Sequence, residues 1–186
     1  MKMTAGDVMS RRSVLAGGAL GGLTIGAGLV GCSSSQNAGA QGDSSWVKAE
    51  VGRVSVRHPA EWVEKPSHSK VFTKMFTDET GWMYIAGDYS DNTDPVLVHN
   101  RLEVRMTGNV DGFEAKGWDE ITVKGAGEAV KCPFVFNREG KRAYGWWLIA
   151  SLPAPIGGTS VVSINLLTED TDFVDKVIPT MELHDQ

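Results

Sequence analysis

Ten consecutive residues from Ala143 to Leu152 (A-Y-G-W-W-L-I-A-S-L) carry no charge and constrain the fold more than any other stretch of the chain. If they form a strand, the adjacent Trp146 and Trp147 face opposite ways. Tyr144 and Leu148 then accompany the first, and Ala143 and Ile149 the second. Both faces are apolar, whereas a sheet wet on one side alternates apolar with polar residues. Two arrangements satisfy the pattern: helices cover both faces, or one face offers a binding surface. Trp62, Trp82 and Trp118 add to an aromatic complement whose plainest use is a core.

Alternation recurs on both sides of this segment. Arg53-Val54-Ser55-Val56-Arg57 puts two valines on one face and two arginines on the other, and His58-Pro59 closes that strand. Residues 71–77 and 82–89 read as the next two strands, joined by a turn through Asp78, Glu79 and Gly81. Three longer strands are expected at 128–136, 142–152 and 159–167, with Arg138-Glu139-Gly140-Lys141 turning the first pair; their lengths suit one antiparallel sheet. Asp170 opens a short helix with Phe173, Val174, Val177 and Ile178 as its apolar stripe, which Pro179 stops. Residues 96–106 stay ambiguous. Asp94-Pro95 reads as an N-cap followed by proline at the first helical position, with Val98, Leu102 and Met106 on one helical face. Yet Val96, Val98, Leu102, Val104 and Met106 also occupy alternate positions, as a strand requires.

The first 31 residues follow different rules. Lys2, Arg11 and Arg12 precede an uncharged, glycine-rich apolar run, the n-region and h-region of an export signal. A spanning helix is the competing reading, against which the glycines count. Leu29-Val30-Gly31-Cys32 resembles the bacterial lipobox, which implies diacylglyceryl transfer to Cys32, cleavage after Gly31, and acyl chains of the palmitate type on the new terminus. Two chains suffice to hold a protein at a bilayer, because each buried methylene contributes about 0.8 kcal/mol. Ser10-Arg11-Arg12-Ser13-Val14-Leu15 resembles the twin-arginine export motif, although Val14 stands where phenylalanine is usual and the general secretory route remains open. Residues 32–45 lack large apolar side chains and read as a lipidated tether with an rms span on the order of 20 Å. Residues 46–186 then form one globular domain.

No residue set beyond this leader announces chemistry. With Cys32 lipidated, Cys132 is the remaining thiol, and Val130, Phe134 and Phe136 share its strand face, where cysteine behaves as a small inert hydrophobe. His58, His68, His99 and His184 show no metal-ligand spacing. Asp88, Asp91 and Asp94 lack the spacing, glycine and closing glutamate of a calcium loop. Gly125-Ala126-Gly127 reads as a hairpin or bulge rather than a nucleotide fingerprint, and no serine occupies a G-x-S-x-G elbow. No metal and no cofactor is expected. Losing Lys2, Arg11, Arg12 and Asp7 removes three positive charges and one negative, and takes the formal net charge from −5 to −7. Nucleic acid is therefore an improbable partner.

Residues 52–183 resemble the PsbP-like α/β sandwich as found in lipoproteins of the LpqN type from actinobacteria. The resemblance rests on Val54-Ser55-Val56-Arg57-His58-Pro59-Ala60-Glu61-Trp62, on Thr122 to Ala129, on the Tyr144 to Ala150 strand and on Phe173 to Leu183. It implies an α+β fold, an antiparallel sheet with helices packed beside it, and hence a helix over 95–107. It supplies no substrate.

Two functions follow from the sequence: a noncatalytic binding or accessory module of the cell envelope, and an extracytoplasmic hydrolase with an unrecognised site. The first is preferred because no catalytic set stands out. Its partners would be the membrane, through the lipid on Cys32, and an envelope protein or small apolar ligand. Cys32→Ala is expected to release the protein from the membrane fraction without unfolding the domain. A variant that stays in the membrane pellet as uncleaved precursor would show instead that the leader spans.

Overall fold

The computed structural model describes residues 45–185. Arg11, Arg12, Leu29, Val30, Gly31 and Cys32 lie outside the described residues, as does the tether up to residue 44. The fold is α+β. Eleven strands occur among the described residues: β1 (Trp46–Val51), β2 (Val54–Pro59), β3 (Val63–Lys65), β4 (Lys74–Thr77), β5 (Gly81–Ser90), β6 (Glu114–Ala115), β7 (Asp119–Glu120), β8 (Glu128–Arg138), β9 (Lys141–Ser151), β10 (Thr159–Leu166) and β11 (Glu182–Leu183). Helix α1 (Pro95–Met106) follows β5, and α2 (Thr171–Val177) follows β10. The large sheet runs β3-β4-β5-β10-β9-β8-β6, with β7 also on β8, and the small one runs β1-β2-β11. All of these pairings are antiparallel.

Strand β9 lies inside the large sheet, between β8 and β10, and its two faces are buried in separate cores. Trp146, Leu148 and Ala150 join Val162, Ile164 and Leu166 of β10 in the first core. There they meet Val54 and Val56 of β2, Val174 and Val177 of α2, and Trp62. Trp147, Ala143 and Ile149 face the second core with Val130, Cys132, Phe134 and Phe136 of β8 and with Val98 and Leu102 of α1. One face is thus closed by a second sheet and a helix, the other by a helix alone.

The ambiguous segment 96–106 is helical because its first turn is capped. Asp94 Oδ1 accepts from the backbone N–H groups of Val96 (2.9 Å) and Leu97 (3.0 Å), and Pro95 donates nothing that needs a partner. Helical spacing buries Val98 and Leu102 and leaves Val104 75% exposed, a side chain the strand reading would have placed with them.

Other expectations shift at their edges. The strand expected from residue 71 begins at Lys74, because Ser69 Oγ accepts from the Val71 and Phe72 N–H groups and Ser67 Oγ donates to the Phe72 carbonyl. Those bonds fold Val71 and Phe72 into a loop. The terminal α-helix ends at Val177, and Pro179 sits in a 3-10 turn, Ile178–Thr180, instead of halting the helix itself. Gly125-Ala126-Gly127 lies in the 121–127 connection between the antiparallel strands β7 and β8, as a hairpin signal requires. Gly125 (φ +78°) passes so close to the Leu183 carbonyl that a β-carbon would collide with it, while Leu183 N–H donates to Lys124 O (2.8 Å).

The small sheet crosses the large one at Gly87 of β5. A β-carbon there would overlap the Val51 carbonyl, which is backbone and has no rotamer to escape by. Gly87→Ala should therefore cost about 1–3 kcal/mol, read as a lower urea midpoint at unchanged slope. An unshifted midpoint would show that the sheets separate freely at this crossing.

Candidate functional site

Helix α1 packs on β8 and β9, and the strands beside them, β10 and β5, keep part of their face open. The result is a cleft of about 350 Å³ walled by Leu102, Arg105 and Met106 of α1 on one side and by Ser69, Val71 and Phe72 on the other. Strand register fixes its floor as two rows running across the sheet. Tyr84, Ser163, Trp147 and Cys132 stand in one row; Trp82, Asn165, Gly145 and Phe134 stand in the next.

Gly145 shapes this floor. A β-carbon on it would occupy the space of the Phe134 ring, so its absence lets that ring lie across β9 onto Trp147, with centroids 4.3 Å apart. Phe113 packs on Phe134 at 5.7 Å, and Phe136 meets the edge of Trp82 at 6.1 Å. Arg138 lies 3.9 Å above the Trp82 ring, a cation over an aromatic face. On the opposite wall, the captured turn at Ser69 sets Phe72 against Tyr84 (5.7 Å) and Tyr89 (6.1 Å). Aromatic faces thus dominate the lining, and besides Ser69, whose hydroxyl serves its own turn, polar side chains enter at Arg105, Ser163 and Asn165.

The cleft is concave and mostly apolar, the character expected of a small-molecule site. No protein-family profile matches the chain. No curated protein matches it either. Among solved structures the chain is similar to LpqN, described as involved in cell envelope biogenesis of Mycobacterium tuberculosis. That match has a TM-score of 0.48 and 17% identity, covering 75% of this chain and 91% of LpqN. It is also similar to a protein of Bacteroides thetaiotaomicron VPI-5482, with a TM-score of 0.48 and 15% identity over 73% of this chain. The chain covers 49% of that protein, about half its length.

The residues weighed for catalysis do not converge on the cleft. Cys132 is fully buried between β9 and α1, and burial, with Asp119 and Glu103 adding to it, pushes its thiol up to about 12. It stays protonated and out of reach of solvent. His58 belongs to the opposite layer, stacked on Phe76 at 4.0 Å with Nδ1 bonded to the Pro59 carbonyl. The three loop aspartates hold separate duties: Asp88 pairs with Arg53 (3.1 Å), Asp94 caps α1, and Asp91 lies exposed. Among the described residues no group of three or more His, Cys, Asp or Glu is placed to hold a metal.

One constellation escaped the sequence reading. Ser55 Oγ lies 2.9 Å from His184 Nε2, and Ser55 stands across the small sheet from Glu50 on one side and Glu182 on the other. Serine, imidazole and carboxylates are thus brought together from three strands, though 129 positions separate Ser55 from His184. Ser55 is fully buried, however, so its hydroxyl is not offered to a substrate. Glu182 is committed to Lys124, and Glu50 to Lys48 (2.5 Å).

His99, on the inner side of α1, is 3% exposed and sets its ring edge against Trp147 (6.0 Å, 60°), and neither ring nitrogen has a hydrogen-bond partner. Burial lowers its pKa below the free value of 6.5, against the pull of Glu103, whose Oε2 lies 3.8 Å from Nε2. The imidazole is therefore held neutral in the fold and takes a proton more readily once unfolded. Its contribution to stability is complete above about pH 6.5 and declines as pH falls toward the depressed native pKa. His58, also lowered chiefly by burial, acts in the same direction. The urea midpoint is expected to drop on acidification below pH 6.5, and His99→Leu to flatten that slope; an identical slope in the variant would remove His99 from the account.

Proposed function

We propose that this chain is a lipid-anchored protein of the extracytoplasmic face, a noncatalytic accessory module of the cell envelope whose domain binds an apolar small molecule. One observation carries the binding half: the aromatic cleft left open beside α1, in a domain otherwise closed on both faces. An apolar recess of this volume suits a small molecule better than a flat protein partner. The anchoring half rests on the sequence, in which the lipobox-like Leu29-Val30-Gly31-Cys32 follows the apolar run and precedes a polar tether. Export by the twin-arginine route, through Arg11 and Arg12, belongs to the same reading. A lipid on Cys32 would hold the domain close to a membrane, where apolar ligands are concentrated.

Titration of the full-length chain with N-phenylnaphthylamine, an uncharged apolar fluorophore, tests the cleft. Binding should quench emission from Trp82 and Trp147. Met106→Trp places a bulky ring at the α1 wall and should abolish that binding with the fold intact by circular dichroism. Trp118→Ala, in a separate polar recess beside Glu120 and Glu128, should leave it unchanged. Equal binding by all three proteins would overturn the assignment.

A further inference from the structure

Resting on the apolar-ligand reading above, we infer that the cleft takes an aliphatic carboxylate with a hydroxyl on its chain: Arg105 receives the carboxylate, and Ser163 with Asn165 receives the hydroxyl. The head-group half follows from charge. Arg105 is exposed at the mouth, in the last turn of α1, and makes no ion pair among the described residues. In a chain with a formal net charge of −5, a guanidinium with no carboxylate of its own, standing at the rim of an aromatic recess, complements an anionic ligand end. A neutral hydrocarbon would make no use of that charge.

Hydrogen bonding supplies the second half. On its other face β10 carries Val162, Ile164 and Leu166, yet the cleft face has Ser163 and Asn165 at consecutive inward positions, each 5% exposed. Asn165 Nδ2 donates to Ser163 Oγ at 3.2 Å, which satisfies one group of each side chain. The Asn165 amide oxygen is left with no donor, and the Ser163 hydroxyl hydrogen with no acceptor. A free acceptor and a free donor side by side in an otherwise apolar floor suit a partner that both donates and accepts. A hydroxyl is the smallest group that does so.

The test compares dodecanol, dodecanoate and a set of hydroxydodecanoates differing in hydroxyl position, each titrated into the full-length chain below its micelle concentration. Dodecanoate should bind about tenfold or more tightly than dodecanol, as a charge-assisted hydrogen bond predicts. Arg105→Gln should erase that advantage, bringing the ratio of dodecanoate to dodecanol affinity to about one. One hydroxydodecanoate isomer should bind about fivefold or more tightly than dodecanoate, and Asn165→Leu should reverse the order. Ser163→Ala, a smaller change on the same strand, should narrow the preference if Asn165→Leu fails to fold. Equal affinities for dodecanol and dodecanoate, or an Arg105→Gln loss shared by both, would overturn the carboxylate assignment. Absence of any preferred isomer would overturn the hydroxyl assignment. If dodecanol and N-phenylnaphthylamine both fail to bind, the apolar cleft itself is refuted, a result distinct from failure of the head-group assignment.

Discussion

The whole domain answers to one demand, that β9 have both faces kept dry. Trp146 and Trp147 point to opposite sides, and each needs a cover. The two covers differ in width. The small sheet and α2 close the face of Trp146. The face of Trp147 receives α1 alone, and a helix about 10–12 Å across spans only two or three strands spaced about 4.8 Å apart. The five strands from β8 to β4 are wider than that. A single helix seated over β8 and β9 therefore leaves β10 and β5 short of cover, and the cleft is the remainder.

The lining follows the same geometry. Where α1 covers the sheet, the second core is aliphatic or thiol apart from the His99 and Trp147 contact: Val98 and Leu102 on the helix, Val130, Cys132 and Ile149 below. Where cover runs out, the sheet face changes to aromatic and polar residues, with Trp82 and Tyr84 on β5 and Ser163 and Asn165 on β10. Gly145 extends the aromatic floor under the helix edge by letting the Phe134 ring lie across β9. Rigid rings keep a partly open recess from collapsing, which flexible aliphatics would do less well.

Much of this could be read in the chain, and the failures have physical causes. The Trp146-Trp147 pair, the three long strands and the cap of α2 were legible, because buried alternation and a capping aspartate leave strong local signals, whereas the Asp94 cap alone left α1 undecided between helix and strand. Strand β3, wholly exposed, and the two-residue strands β6 and β7 leave none; their pairing is decided by neighbours distant in sequence. Strand β1 was missed because its first residues are exposed or half-buried and only Ala49 and Val51 reach the core. Of the two alternatives weighed for β9, cover on both faces or one open binding face, the structure shows cover on both, and the cleft opens beside it over β10 and β5. What no local pattern conveys is that one face would be closed by a sheet assembled from β1, β2 and β11, whose members lie at the two ends of the domain. The Ser55 and His184 pair escaped for the same reason.

That difference in cover is matched by a difference in how the buried polar groups of the two layers are satisfied. The first core is closed by residues from two sheets and a helix, and its polar members are bonded, as His58 is to the Pro59 carbonyl. Helix α1 commits four buried residues, Pro95, Val98, His99 and Leu102, to the second core. One of them is an imidazole with two unpaired nitrogens, and each such group left unpaired costs about 1–3 kcal/mol. The helix that walls the cleft thus carries an unsatisfied polar group into its own core. Segments with few buried apolar contacts open at lower free energy than the core they rest on. A change in the seating of α1 would therefore reshape the cleft while the β2, β9 and β10 layer stays intact, because the two cores lie on opposite faces of β9.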